Sequence, residues 1–325
     1  MYRLSCEITI STTAGEIRLG HATGVTIAKH SDSLTDVATI TLPRRIRWQG
    51  VESNPIKRGD AVSISLGYDD RNHLAFVGTV ARVSTTTPLT IECQDPMAAW
   101  QTVAAKAKAY TSVTLETLLK DQGVEATITG SQSLGAYRVE CQTVSELLDA
   151  LRKQGIRTMY RIGAGTGPKL YAGLAMQPSD ERTFAFDDQK NVVSRANLNY
   201  EPADDVRFLV RVKNHSTVES GKRSNKKMKP VEVGYQDGEL RTFNVVGMTE
   251  AEMKEYAEAQ LERLKQGGLS GSFTVFGGEV IDKLDAVELT LDGKAAGTWQ
   301  VERNDISWGE GGFRQTLTVG SRLSE

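Results

Sequence analysis

Residues Asp60–Leu66 read DAVSISL, and residues Asp285–Leu291 read DAVELTL. In both, Val, Ile or Leu recurs at every second position with Ser, Glu or Thr between, the period of a strand with one buried and one wet face. Each phrase is followed by a turn and then by a run carrying an aromatic residue, GYDDRNHLAFVGTV at 67–80 and DGKAAGTWQVERN at 292–304. One hairpin is written twice, and two related β-barrels separated by a helix-containing insert satisfy that pattern.

The flanking sequence fills in the scheme. Up to about residue 95 the period is two: Cys6, Ile8 and Ile10 alternate with Glu7 and Thr9, and Gly59 and Gly67 punctuate the first phrase. LAFVGTVARV at 74–83 alternates less regularly, and Gly78 within it marks a bulge or a barrel corner. From about 96 to 200 helices appear among short strands. TVSELLDALRKQG opens on Thr143 as N-cap with Glu146 three residues on, turns Leu147, Leu148 and Leu151 to one face and stops at Gly155. SVTLETLLKDQG at 112–123 repeats the scheme with Leu115, Leu118, Leu119 and a terminal Gly123. Strands return with DVRFLVRVKN at 205–214, a Thr249/Glu252 capping box predicts one more helix at about 249–266, and four short strands follow. The expected fold is α+β and mainly β: a first β-barrel domain at 1–96, an α/β insertion at 97–200, and a second β-barrel domain with one helix at 201–325.

Bulk properties narrow the function. With 39 basic and 41 acidic residues among 325, the net charge of −2 gives no electrostatic pull toward a polyanion. Cys6, Cys93 and Cys141 are too few and too scattered for a disulfide framework or a zinc site, so a reduced compartment is the simpler reading. The start, MYRLSCEITISTT, lacks the basic-then-apolar form of a signal peptide, and no apolar run approaches the roughly 20 residues that span a bilayer. A soluble protein is expected, with no membrane partner.

No catalytic constellation emerges. GAGTGPK at 163–169 has the glycines and lysine of a phosphate loop, but Pro168 precedes Lys169 and apolar LYAGL follows, so it reads as a turn between two strands. His21, His30, His73 and His215 never stand at the i, i+4 spacing that places two imidazoles on one helix face. Cys93, inside LTIECQD, reads as a buried strand residue rather than a nucleophile, and no GxSxG elbow occurs. The acid pairs at 69–70, 187–188 and 204–205 lie in turn-like contexts. No catalytic residue, cofactor or metal is expected. One basic cluster, SGKRSNKKMKP, brings Lys222, Arg223, Lys226, Lys227 and Lys229 between two strands; it is a surface loop that could contact a partner, and it lacks aromatics for base stacking.

Taken in order, several of these segments resemble one family, the baseplate hub proteins of contractile phage tails, or phage late control proteins, related to the hub part of type VI secretion spikes. The resemblance rests on IKRGDAVSISLGY, AFVGTVARV and LTIECQD; on TSVTLETLLKDQG; on TVSELLDALRKQGI leading to KLYAGL; on FAFDDQKNVVSRANLNYEPADDVRFLVRVKN; and on the helix before Gly267 with GTWQVERNDISWGEGGFRQTLTV. The family often has Pro-Gly-Asp before its last barrel hairpin, where this chain has KLDAVELT.

The resemblance implies tube-like barrels and a homotrimer whose three chains make a pseudo-sixfold ring around a channel, joining a sixfold tail tube to a threefold spike. It implies a non-enzymatic structural protein of a phage, a prophage or a related contractile injection system, made in the bacterial host cytoplasm and placed in the virion tail baseplate. Its partners would be further copies of itself, the tail tube protein and the spike protein, with nucleic acid expected only in passage through the channel. Because the sequence ends at Glu325, the spike would be a separate protein. The competing readings are a tail-associated cell-wall glycan hydrolase, which needs two carboxylates in one cleft, and a nucleic-acid-binding module acting through the 222–229 loop.

Overall fold

The structure is a computed structural model that describes residues 2–43, 54–84, 87–129, 133–153, 156–162, 168–173, 182–201, 207–214, 229–245, 250–265 and 268–324. The chain opens with β1 (Leu4–Thr12), β2 (Gly15–Leu19), β3 (Gly24–His30), β4 (Val37–Leu42), β5 (Ala61–Tyr68), β6 (Arg71–Val83) and β7 (Leu89–Gln94). A 3-10 turn, Pro96–Gln101, leads into β8 (Ala109–Thr114), α1 (Leu115–Asp121), β9 (Thr127–Ile128), β10 (Ser133–Arg138), α2 (Val144–Lys153), β11 (Arg157–Arg161) and β12 (Lys169–Gly173). Next come β13 (Thr183–Asp187), β14 (Val192–Glu201), β15 (Phe208–Asn214), β16 (Val231–Gly234), β17 (Glu239–Val245) and α3 (Glu250–Lys265). The last strands are β18 (Gly268–Phe276), β19 (Ala286–Leu291), β20 (Lys294–Gly309) and β21 (Arg314–Ser324).

The protein is mainly β, and thirteen strands form one continuous sheet. Its order is β14-β18-β21-β20-β3-β4-β7-β6-β5-β1-β2, with β19 joined to β20 and β13 to β19. Two cores lie against it. The first gathers Ile8, Ile27, Ile40, Ile64, Phe76 and Ile91 from the early strands, and the second gathers Phe273, Val275, Val287, Leu289, Trp299 and Leu317 from the late ones. Among the described residues no ladder closes either half into a hydrogen-bonded ring. β13 and β14, which the sequence reading placed with the middle region, pair with β19 and β18 in the main sheet.

β20 serves both halves. Its first part pairs with β19, and Arg303–Gly309 pairs with His30–Gly24 of β3. Consequently Trp299 and Val301 lie in the late core while Ile306 and Trp308 lie in the early one.

The repeated phrase is repeated in three dimensions. Both hairpins turn through two residues of positive φ, Asp69 (51°) with Asp70 (64°) and Asp292 (51°) with Gly293 (74°), the geometry that matches strand twist. Each carries an extra residue at the same place, Ala75 opposite Ile64 and Ser65, and Ala296 opposite Leu289 and Thr290. A second extra residue follows Val80 in one copy and Val301 in the other. Gly78 is therefore not itself the bulge; a Cβ there would sit 2.1 Å from the Gln94 carbonyl oxygen, so it permits close approach of β7.

The turns before the hairpins also match. The amides of Gly59 and Leu284 donate to the carbonyls of Val80 and Val301, both at 2.8 Å, and Val80 and Val301 donate back to Asp60 and Asp285, again at 2.8 Å. Asp60 Oδ2 accepts from the Lys57 amide at 2.7 Å, and Asp285 Oδ2 accepts from the Asp282 amide at 2.8 Å. KLDAVELT thus keeps the turn, with Leu284 at φ 66° where the first copy has Gly59 at φ 94°.

The insertions pack on their own cores. α1 is capped by Thr114, whose hydroxyl accepts from the Thr117 amide at 3.2 Å, and it ends at Gly123 with φ 79°. α2 begins as its capping box predicts: Thr143 Oγ1 accepts from the Glu146 amide at 3.2 Å, while the Glu146 carboxylate reaches back to the Gln142 amide at 2.8 Å. Leu118, Leu119, Leu147, Leu148 and Leu151 share the core these helices build, and Gly155 lies outside the described residues. α3 packs Met253, Ala257 and Leu261 onto Phe208, Val210 and Val212 of the small sheet β16-β15-β17. Thr249 lies outside the described residues.

Candidate functional site

Those residues singled out in the sequence that the structure describes lie apart from one another. Lys222, Arg223, Lys226 and Lys227 lie outside the described residues; Lys229 is exposed just before β16, so the loop joins the antiparallel neighbours β15 and β16. Most of GAGTGPK is likewise outside them, but β11 and β12 on either side pair antiparallel, as the turn reading requires. His21 and His73 are exposed, and His30 bonds Asp305 at 2.8 Å through Nε2. Cys93 is buried in β7, where burial pushes its thiol up to about 12, and burial takes Cys6 to about 11. Among the described residues no cluster of His, Cys, Asp and Glu could hold a metal, and no helix is long and apolar enough to cross a membrane.

What the fold does concentrate is buried charge, where the ends of β3 and β19 abut on β20. Lys283 Nζ bonds both carboxylate oxygens of Asp36 at 2.7 Å, and Lys29 Nζ lies 3.3 Å from Asp282. Arg161 and Arg182 each reach Asp285 at 2.7 Å, and the Ile162 amide donates to Asp282 at 2.8 Å. Asp95 caps the 3-10 turn by accepting from the Met97 amide at 3.0 Å, and its other oxygen accepts from the Asp36 amide at 2.9 Å. Burial would raise Asp282, yet the charges of Lys29 and Lys283 outweigh it and hold this carboxyl well below the usual range. At Asp95 burial and the neighbouring Asp36 charge act together and push the carboxyl up to about 7. Early strands, late strands and the middle region all meet here.

Leu284 adds an apolar rivet to the same junction, packing on Met159 and Tyr171. Thus the two copies of the turn differ in their surroundings: Lys57–Gly59 is exposed, whereas Lys283 and Leu284 are buried, Leu284 against the middle region. Sequence reading missed these residues although one signal was present. Lys29 occupies the inward phase of its strand after Val25 and Ile27, a position where a lysine needs a buried partner.

Two further features matter. β14 is the end strand of the long sheet, and beyond Val80 the flank of β6 that β5 occupied carries no described strand. In the middle region a cavity of about 660 Å³ is lined by Met97, Trp100, Tyr160, Leu170 and, at its rim, Glu125 and Lys169. Glu125 is the one carboxylate among its described lining residues.

The architecture is that of tail and secretion-spike proteins, shared at low sequence identity. No protein-family model matches the chain, and no curated protein is similar in sequence. Among solved structures, a tail protein from Neisseria meningitidis MC58 superposes with a TM-score of 0.62 at 15% identity, covering 97% of this chain and 96% of that one. The 43 kDa tail protein of prophage MuSo2 from Shewanella oneidensis gives 0.58 at 15% identity, with 97% of both chains covered. An E. coli component of the type VI secretion system gives 0.55 at 10% identity over 94% of this chain and 74% of that one. At such identities the likeness is one of fold.

Proposed function

We propose that the protein is a structural subunit of a contractile-tail baseplate, in a phage, a prophage or a related injection system, and that three copies form its hub ring. The carrying observation is the pairing of β20 with β3. Within one chain it joins the late half to the early half edge to edge, and the two halves are built on the same repeated hairpin.

The repeat supplies the joint between copies. β6 is the counterpart of β20, since Val80 matches Val301 and Arg82 matches Arg303, and the β7-β4-β3 run matches β21-β18-β14. The equivalent of the β20–β3 pairing would place the flank of one copy's β6 beyond Val80 against the free edge of the next copy's β14. Because Arg303 pairs with His30 inside the chain, Arg82 falls opposite Glu201 and Ser84 opposite Asn199 across copies. Such a joint is heterologous and closes into a ring after three copies, giving six similar units. The polar phase of the strands then faces neighbour or channel, and the two similar halves of each chain fit tail-tube and spike partners on opposite sides. The loop carrying Lys222, Arg223, Lys226, Lys227 and Lys229 is a partner-contact loop in this reading, and the protein has no catalytic role.

Two measurements test it. Light scattering at micromolar concentration should return three times the 35.5 kDa chain mass, with a threefold ring in micrographs. The pair Ser84→Cys with Asn199→Cys should cross-link between copies. A monomer without rings would overturn the reading, and a trimer that never cross-links would overturn the joint.

A further inference from the structure

We infer that the contact between Asp36 and Asp95 is a proton-operated clamp, which holds the 3-10 turn leading into the middle region against the β frame when protonated and loosens when it ionises. Two buried carboxyls, 4% and 2% exposed, stand on opposite sides of this boundary, one in the β3–β4 connection and one capping the turn. They are tied by a reciprocal pair of bonds: the Asp36 amide donates to Asp95 Oδ2 at 2.9 Å, and the Asp95 amide donates to the Asp36 carbonyl at 3.1 Å. Among the described residues a single ammonium, Lys283, bonds one of the two carboxylates directly.

Among the described residues, the other charges around them have bonded partners of their own. From β3, Lys29 is paired with Asp282, and His30 bonds Asp305 and Arg303. From the turn before β19, Asp282 and Asp285 face Lys29, Arg161 and Arg182, and Arg182 also holds Glu279. From β11, Tyr160 sits near Asp95, and burial pushes its hydroxyl up to about 12, so it stays neutral. From the connection after β3, Asp32 takes Arg303 at 3.6 Å. With Lys283 bonded to Asp36, a second negative charge on Asp95 meets two backbone amides and only the more distant pull of that ammonium, which burial and the Asp36 charge outweigh.

Burial raises both carboxyls, Asp95 to about 7, and the ammonium on Asp36 makes Asp95 the member that keeps the proton. The sign follows. A carboxyl raised in the closed state favours closure fully below its ordinary value and loses that contribution as pH climbs through 7. For a closed value of about 7 and an open value of 3.8, the opening constant increases about tenfold between pH 6 and pH 8.5.

Hydrogen exchange on the full chain tests this, with protection factors corrected for the intrinsic rate. The Asp36 and Met97 amides should lose about tenfold protection from pH 6 to pH 8.5, while the interior of α2 is unchanged. In Asp95→Asn, which lacks one of the two acceptors, protection should be lower at both values and the ratio close to one. Unchanged protection in the wild type, or an undiminished pH ratio in the variant, overturns the clamp. Should the variant not fold, carbon-13 labelling of the wild-type aspartates with the Asp95 resonance assigned decides: an Asp95 carboxyl titrating near neutrality supports the clamp, and one titrating below pH 5 overturns it.

Discussion

Leu284 offers a test in which the usual order of substitutions reverses. Its φ of 66° lies in the left-handed region, which costs a leucine about 1–2 kcal/mol. The side chain, 3% exposed against Met159 and Tyr171, contributes about 2–3 kcal/mol by burial. Leu284→Ala keeps the strain and loses the packing, an expected cost of about 3 kcal/mol. Leu284→Gly loses the same packing but relieves the strain, so it should be less destabilising than alanine by about 1 kcal/mol. At the matching turn of the first copy, a Cβ on Gly59 meets nothing within 4 Å, so Gly59→Leu should cost the strain alone, about 1 kcal/mol. Urea unfolding of the four proteins, followed by tryptophan fluorescence and far-ultraviolet circular dichroism, gives the order. Glycine proving worse than alanine at 284 would refute the strain reasoning, and Gly59→Leu costing as much as Leu284→Ala would refute the packing difference between the copies.

Other outcomes follow from single features. Lys283→Met strands the buried Asp36 carboxylate and should cost about 3–5 kcal/mol, with much of the loss recovered in the double variant Lys283→Met/Asp36→Leu; the single variant should suffer more at pH 8 than at pH 5, because protonation relieves Asp36. Gly78→Ala forces β6 and β7 apart and should cost about 3 kcal/mol by urea unfolding. In a thiol titration of the native protein at pH 8, Cys141 should react first, while Cys6 and Cys93, held up at about 11 and about 12 by burial, react only on unfolding.

Much of this fold is legible because alternation and capping are local. Ile64 and Leu289 announce their strands, Thr143 with Glu146 announces α2, and the repeated phrase announces the paired hairpins. What stays hidden depends on residues far apart in sequence. Nothing near Val192 shows that β14 joins strands beyond residue 268, because the insertion carrying α3 interrupts them. Arg161 and Asp285 look like ordinary surface charges until the middle region closes over the second turn. The Leu284 turn was the one place where the family resemblance left the geometry open, and there the backbone kept its shape while the side chain acquired a partner.

β20 also sets the order in which the molecule can mature. The early core needs Ile306, Trp308 and Phe313 to be complete, so β1–β7 leave the ribosome with one wall missing. At about 5–20 residues per second that wall arrives roughly a quarter of a minute to a minute after the first strand. Until then the edge of β3 and its lysine are bare, and contacts this distant in sequence form slowly. A nascent chain therefore cannot hold a finished early half. Translation itself acts as a checkpoint, because only chains that have delivered β20 can complete that core.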